Sequence, residues 1–422
     1  MTIRTLRGAT AVAAALAAAA CSRDAVDIIR PGAPVSPMFA SYVALGNSIT
    51  AGYQSGGISN TTQQQSYAKL LAGQMRTRYV YPALAGAGCP PPTAGIFRNP
   101  TTEPATACSL RDPLSASAAL NNVAVPGAAV ADLTSATTIR SNFLTSLFLG
   151  GRTQVAKAQD AQPTFVSVWI GNNDVLDPAV KGIAVFDNDN SAGAVALKQA
   201  VSSPGITNVA SFRSSYASAA NTLRGAAPNG ILVGVVNVTA APILFPIDSL
   251  INSAQRKAEF EGYLSAIAGG AARPVTILAN CVNSRALVSF AIAPTLAAQA
   301  NDAQRIISCT RNQPVAGAGE VFVLDTLEQA LFTSTIGQYN AYIKAKADSI
   351  GYAYLNADSV LATLRASGQV YPVPHLTDTA APFGPAVSKD GVHPAAPGHV
   401  AVAKALITRI NARYATNIPQ LP

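Results

Sequence analysis

The chain has 422 residues, 49% of them hydrophobic and 12% charged. That composition excludes a disordered chain and supplies enough apolar surface for a sizeable core. The formal charge of +8 comes from 29 basic and 21 acidic residues. The basic residues are scattered singly, without aromatic interleaving, so there is no nucleic-acid footprint.

Residues 1–20 read as an export signal. Arg4 and Arg7 give a basic start, and residues 9–20 give an apolar run too short to cross a bilayer. Ala18-Ala19-Ala20-Cys21 resembles a bacterial lipobox, in which Cys21 is lipidated after cleavage. Ala18 stands where leucine is usual, and ordinary cleavage after Ala20 fits the same residues. Residues 21–40 carry Pro31, Gly32, Pro34 and Pro37 and read as an extended tether. The five cysteines are Cys21, Cys89, Cys108, Cys281 and Cys309. With Cys21 lipidated, four remain to pair in an oxidising compartment. Proximity favours Cys89 with Cys108 and Cys281 with Cys309.

Tyr42-Val43-Ala44-Leu45 is an apolar run, the mark of a buried strand. It breaks at Gly46-Asn47, a turn dipeptide, and Ser48 follows. That places Ser48 on the ligand-facing edge of an open α/β sheet, although serine and asparagine are also good helix caps. Residues 63–79 are predicted helical. Residues 86–118 read as an insertion loop leading to a strand end at Val123-Ala124-Val125-Pro126-Gly127. Residues 131–152 are predicted largely helical. Residues 164–170 form a buried strand ending in Gly171-Asn172-Asn173-Asp174. Residues 177–208 read as irregular. Within them Asp187-Asn188-Asp189-Asn190-Ser191 hints at a calcium loop, but Ala192 and Lys198 stand where that loop needs Gly and Glu, so a solvated turn is expected. Helix is predicted over 211–227, strand over 230–238, and the largest insertion over 246–318. Helix 333–350, strand 352–355 and closing helix 397–414 complete the chain. This alternation means a parallel sheet with helices on both faces, in one domain over 41–416 with insertions near 86–118, 177–208 and 246–318.

A nucleophilic serine needs a base, an orienter for the base, and donors for the oxyanion. There are three histidines. His393 lies in Asp390-Gly391-Val392-His393-Pro394, with an acid in reach of its other ring nitrogen. His375 sits in a proline-bounded loop and is the weaker candidate. His399 falls in the closing helix and reads as a surface or packing residue. Four stretches in order, Gly46-Asn47-Ser48, Gly127, Gly171-Asn172-Asn173-Asp174 and Asp390-Gly391-Val392-His393, resemble the blocks of the SGNH (GDSL) hydrolase family.

The resemblance implies Ser48 as nucleophile, His393 as base and Asp390 as its orienter. It implies an oxyanion hole from the Ser48 N–H, the Gly127 N–H and the Asn173 amide, with Asp174 anchoring the loop. It also implies a flavodoxin-like three-layer sandwich on a five-stranded parallel sheet of order 2-1-3-4-5, with no metal or organic cofactor. Asn47 replaces the family's Asp, which puts local hydrogen bonding around Ser48 in question but not the triad. Thr50 takes the second glycine position of a G-x-S-x-G elbow, which argues against an α/β-hydrolase. The expectation is an exported serine esterase or lipase held on a bacterial membrane, outer membrane or cell surface, by lipid on Cys21. The apolar insertions lean towards lipid-like acyl esters. The rival readings are a glycan O-deacetylase or O-acyltransferase with the same triad, a silent surface-binding lipoprotein, and, for location, a soluble periplasmic or secreted protein.

Overall fold

A computed structural model describes residues 32–96, 111, 112, 115, 119–138, 140–310 and 322–422. Four apolar runs form its central sheet: β1 Tyr42–Gly46, β2 Phe165–Trp169, β3 Asn229–Val233 and β4 Ala353–Leu355. They are parallel and adjacent in that order, with Tyr42 opposite Phe165 and Phe165 opposite Asn229. Side chains alternate between two apolar clusters. Tyr42, Ala44, Phe165, Trp169 and Ile231 join one; Val43, Leu45, Val166, Val168 and Leu232 join the other. Burial on both faces is why these strands read as unbroken apolar runs rather than as alternating ones.

The helices that matter for the site are α1 Ser48–Ala51, α2 Tyr67–Met75, α3 Asn173–Val180, α4 Val209–Ala226, α5 Thr326–Ile350, α6 Ala357–Ala366 and α7 Ala396–Tyr414. Tyr67, Leu71 and Met75 of α2 and Val402, Leu406 and Ile410 of α7 cover the first face. Phe212 and Leu223 of α4 and Ile336 and Tyr339 of α5 cover the second, where the Phe212 and Tyr339 rings stack with centroids 3.8 Å apart. The result is three layers.

The expected fifth strand is reduced. Residues 121–125 run along the free side of β1 but form a single ladder bridge, Ala44 with Asn122. Val123 donates to the Ala44 carbonyl at 3.0 Å. Counting this segment, the order is 2-1-3-4-5. It stays irregular because Asn121 and Asn122 turn their amides onto the Tyr42 and Thr50 carbonyls (2.8 and 2.9 Å), and because Pro126 has no N–H to continue a ladder.

Other expectations need correcting. Residues 131–152 are mostly not helical: among the described residues a 3-10 turn, Val130–Leu133, and a short helix, Phe143–Leu149, form there. Between them Thr138 and Ser141 donate to the Asp132 carboxylate, and such local bonds compete with helix. Residues 63–79 give Asn60–Gln64 and α2, split where Ser66 caps the second helix. Residues 177–208 contain a helix, Ala192–Ala200. α5 begins earlier than expected, at a capping box between Asp325 and Glu328. β3 is shorter than the expected 230–238, ending at Val233. The tether's last residues are not free either: Ser36 caps the turn Pro37–Phe39, and Phe39 is buried edge-on against Phe165. Cys21 and Cys108 lie outside the described residues. Cys89 is disulfide-bonded, and Cys281 is bonded to Cys309 with Cα atoms 4.9 Å apart. The largest insertion adds a three-stranded antiparallel sheet of Leu244–Pro246, Leu287–Ser289 and Val323–Leu324.

Gly46 is fixed by close approach. A Cβ there would lie 2.4 Å from Thr50 Oγ1 and 2.5 Å from the Trp169 carbonyl oxygen. The carbonyl belongs to the neighbouring strand and has no room to retreat. Gly46→Ala is expected to lower stability by at least about 2 kcal/mol, the usual scale of overpacking in a core. A urea midpoint unchanged from wild type would show that the two strands separate freely.

Candidate active site

Every strand of a parallel sheet ends on the same edge, and the site is built there. The Gln154 side chain holds the end of β1, accepting from the Gly46 N–H and donating to its carbonyl, each at 2.9 Å. Asn47 then accepts from the Ile49 N–H at 3.1 Å, capping α1. This caps the turn that carries Ser48 over the sheet edge. Asn47 thus serves as a cap, a role its uncharged amide fills as well as a carboxylate would.

The loop before α7 supplies the other two groups. Ser388 donates to the His393 carbonyl at 2.8 Å and Gly391 to the Ser388 carbonyl at 3.0 Å, folding 388–393 into a tight loop. Gly391 sits at φ +71°, a conformation that favours glycine. His393 Nδ1 lies 2.9 Å from Asp390 Oδ2, and His393 Nε2 lies 2.8 Å from Ser48 Oγ. The carboxylate fixes the tautomer: Nδ1–H donates to Asp390, and Nε2 accepts from the Ser48 hydroxyl. The Tyr53 ring packs on the His393 ring at 4.9 Å.

Asp390 is heavily solvated by protein. Its Oδ2 also accepts from the Gly56 N–H (2.9 Å), and its Oδ1 from the Ser388 hydroxyl, the Val392 N–H and the His393 N–H (3.0, 3.0 and 2.9 Å). Burial alone would raise its carboxyl; the His393 imidazole and these donors overcome that and hold it well below the ordinary value.

Ser48, Gly127, Asn173 and His393 line one cleft. Gly127 occupies the third position of a turn with Pro126 second, at φ +85° and with Ala128 donating to the Val125 carbonyl at 3.1 Å. Those are the requirements of a type II turn. Among the described residues, neither the Ser48 N–H nor the Gly127 N–H has a protein partner. Asn173, the first residue of α3, spends one amide hydrogen on the Ala128 carbonyl at 2.8 Å, which leaves the second. Asp174 is fully buried, and its Oδ2 accepts from the Val130 N–H at 2.9 Å. The loops that carry Gly127 and Asn173 are thereby tied twice. Three donors lining one cleft beside a serine–imidazole–carboxylate relay can stabilise a tetrahedral oxyanion during acyl transfer.

The remaining histidines stand elsewhere. His375 is exposed, stacked on Tyr371 and beside the Arg256 guanidinium. His399 is fully buried rather than on the surface. Its Nδ1 accepts from the Tyr67 N–H at 3.2 Å, and burial lowers its pKa to about 3, so it stays neutral. The Asp187–Ser191 turn encloses a side chain: Lys198 Nζ donates to the Asp187 and Asp189 carbonyls at 2.9 and 2.7 Å. Its ammonium takes the place that a cation would need. Sequence reasoning missed Gln154, Tyr53 and Gly56. Tyr53 and Gly56 follow closely on Ser48, but Gln154 carries no local signal.

A parallel sheet with helices on both faces and this relay at its carboxyl edge defines a serine hydrolase. The model of the GDSL-like lipase/acylhydrolase family matches residues 42–406, and the chain belongs to that family. It is a carboxylic ester hydrolase with a serine nucleophile. Among solved structures, an acetylxylan esterase from Geobacillus stearothermophilus is 13% identical, over 88% of this chain and 94% of that one, with a TM-score of 0.36. An α/β hydrolase enzyme from the metagenome of Lake Arreo, Spain, is 12% identical, over 90% and 99%, also at 0.36. Likeness at that score says nothing about what this chain acts on. No curated protein matches it.

Asp174 makes the site's stability pH-dependent. Burial raises its carboxyl from 3.8 to about 6, with the charge of Arg140 and the Val130 N–H acting the other way. A raised folded-state pKa favours the fold below about pH 4, and that contribution is lost as pH rises through 6. Asp174→Asn has nothing to ionise. Relative to wild type it is expected to gain about 2–3 kcal/mol between pH 4 and pH 7.5. Urea unfolding of both proteins across that range tests this; a constant difference would mean that Asp174 does not titrate there.

Proposed function

We propose that Ser48 is the nucleophile, His393 the general base and acid, and Asp390 the group that orients His393. The observation carrying this reading is the unbroken relay, 2.8 Å from Ser48 Oγ to His393 Nε2 and 2.9 Å from His393 Nδ1 to Asp390 Oδ2. His393 takes the hydroxyl proton as Ser48 Oγ attacks the ester carbonyl. The Ser48 and Gly127 N–H groups and the free amide hydrogen of Asn173 receive the oxyanion. On collapse, His393 protonates the leaving alcohol, and an acyl group remains on Ser48. Water then attacks the acyl carbonyl as His393 takes its proton, and on collapse the bond to Ser48 Oγ breaks, His393 returns the proton to Ser48 Oγ, and the acid leaves. Asp390 stays ionised throughout and stabilises the imidazolium.

Ser48→Ala and His393→Ala are each expected to lower ester hydrolysis by at least about 10³-fold, while His375→Ala leaves it near wild type. Asn173→Ala should lower kcat by roughly 10²–10³, the cost of one oxyanion donor. Steady-state kinetics on a p-nitrophenyl ester decide. Activity of Ser48→Ala within tenfold of wild type would remove Ser48 from the role.

We also propose that Cys21 carries lipid. Its support is the run of small residues before it and its place as the odd cysteine. Two acyl chains would suffice for stable attachment, at roughly 0.8 kcal/mol per buried CH₂. Metabolic labelling with a palmitate analogue should mark the wild type and not Cys21→Ser; an unlabelled wild type would mean ordinary signal cleavage.

A further inference from the structure

We infer that the acyl half of the substrate is an aliphatic chain well beyond acetyl length, seated in an apolar cavity that opens beside Ser48. This rests on the reading of Ser48 as the nucleophile. Two hollows meet at Ser48, Asn173, Leu176 and His393. One, which contains Gly127, is open and carries Tyr53, Pro90 and Pro126. The other is a cavity of about 100 Å³, walled by Val236, Val238, Val360, Leu361, Leu364 and Val402 among others.

The chemistry of its walls is one-sided. Its polar residues are Ser48 with Asn47, Asn172, Asn173 and His393, all from the segments that build the catalytic edge. Apart from Trp169, the rest of the lining, among the described residues, offers no side-chain hydrogen-bonding group. Water in such a space lacks partners, whereas a hydrocarbon does not need them.

Helix α6 reinforces the point. Ala357 is its only buried residue. Val360, Leu361 and Leu364 are half-buried: they pack against the apolar clusters and still turn part of their surface to the cavity. Polar contacts hold the helix in place: Asp358 accepts from the Asn237 N–H at 2.7 Å, and the Arg365 guanidinium donates to the Ala240 carbonyl. Its apolar stripe is completed only when something apolar enters. An acetyl group would leave most of the cavity unfilled. Each further methylene placed there should raise kcat/KM about fourfold until the cavity is full.

Two isomeric esters separate the acyl side from the alcohol side. Ethyl hexanoate and hexyl acetate have the same atoms, but carry the long chain on opposite sides of the scissile bond. With the full chain, kcat/KM for ethyl hexanoate is expected to exceed that for hexyl acetate by at least about tenfold, from methylene burial on one side only. Leu361→Trp, which fills the cavity, should collapse that ratio towards one, and Leu364→Phe is the second variant should the first not fold. A wild-type ratio at or below one overturns the inference and assigns the cavity to the alcohol. A ratio untouched by a folded cavity-filling variant overturns it as well. If neither ester is cleaved, the inference falls, and labelling by a fluorophosphonate at Ser48 then tells whether the catalytic reading survives. If one is cleaved with the wrong preference and Ser48→Ala abolishes it, the catalytic reading stands alone.

Discussion

The contact between Ser48 Oγ and His393 Nε2 joins residues 345 apart in the chain. Closing so long a loop costs roughly 5 kcal/mol of entropy, while a single hydrogen bond returns about 1 kcal/mol net. The bond therefore does not hold the site together; the packing around it must. That packing is α7 against α2 and the sheet, through Val402, Leu406, Ile407 and Ile410. At its start Gly398 lies so near the Ala386 carbonyl that a Cβ would approach to 2.3 Å. His399 then accepts from the Tyr67 backbone at the head of α2. The third histidine is thus part of the fit that delivers the second to the serine. It stays neutral there because a buried charge would find no counter-ion worth its desolvation.

The same logic governs the carboxylates. Asp390 and Asp174 are both buried, yet their pKa values move in opposite directions. The difference lies in their donors. Asp390 gathers three backbone N–H groups, a hydroxyl and the imidazole, whereas among the described residues Asp174 Oδ1 has no donor within hydrogen-bond distance. Asp390 is set up to remain charged and to favour an imidazolium beside it. Asp174 bears the penalty of burial while holding the loops of Gly127 and Asn173 together. A stability cost beside a reactive centre is common, because the geometry that chemistry needs is seldom the most stable one.

Much of the site was legible in the primary structure because its members sit at abrupt turns. Gly46-Asn47, Pro126-Gly127 and Gly171 each combine a break in an apolar run with a residue suited to an abrupt turn, and Asp390-Gly391 is such a turn in the loop before α7. Position along the chain and chemistry then point to the same sheet edge. What was hidden has no local signature. Gln154 matters because its amide meets both polar groups of Gly46, 108 residues away. Nothing near it in the chain announces that. Residues 131–152 look helical by composition, but Asp132, Thr138 and Ser141 satisfy one another and the backbone more cheaply as a loop. The edge segment at 121–125 lost its ladder for a similar reason, its asparagines being committed elsewhere.

The largest insertion is not an appendage. Phe245, Phe260 and Phe290 belong to the same apolar cluster as Val43 and Val168 of the central sheet. The insertion also reaches the catalytic loop directly. Ile243, just before its first strand, donates to the Gly391 carbonyl at 2.9 Å. Phe383 packs edge-on against Phe290 at 6.3 Å, and a Cβ on Gly391 would come within 2.9 Å of the Phe383 ring. The loop that aims His393 is therefore wedged between the insertion and α7. Rigid side-chain placement on a loop needs such support from more than one direction. After Val233, Val236, Val238, Ala241 and Pro242 line the apolar cavity before the chain enters the insertion. One stretch of chain thus joins the wall of that cavity to the support of the loop that carries His393. A change in the insertion's packing is therefore free to reach both the cavity and the placement of His393.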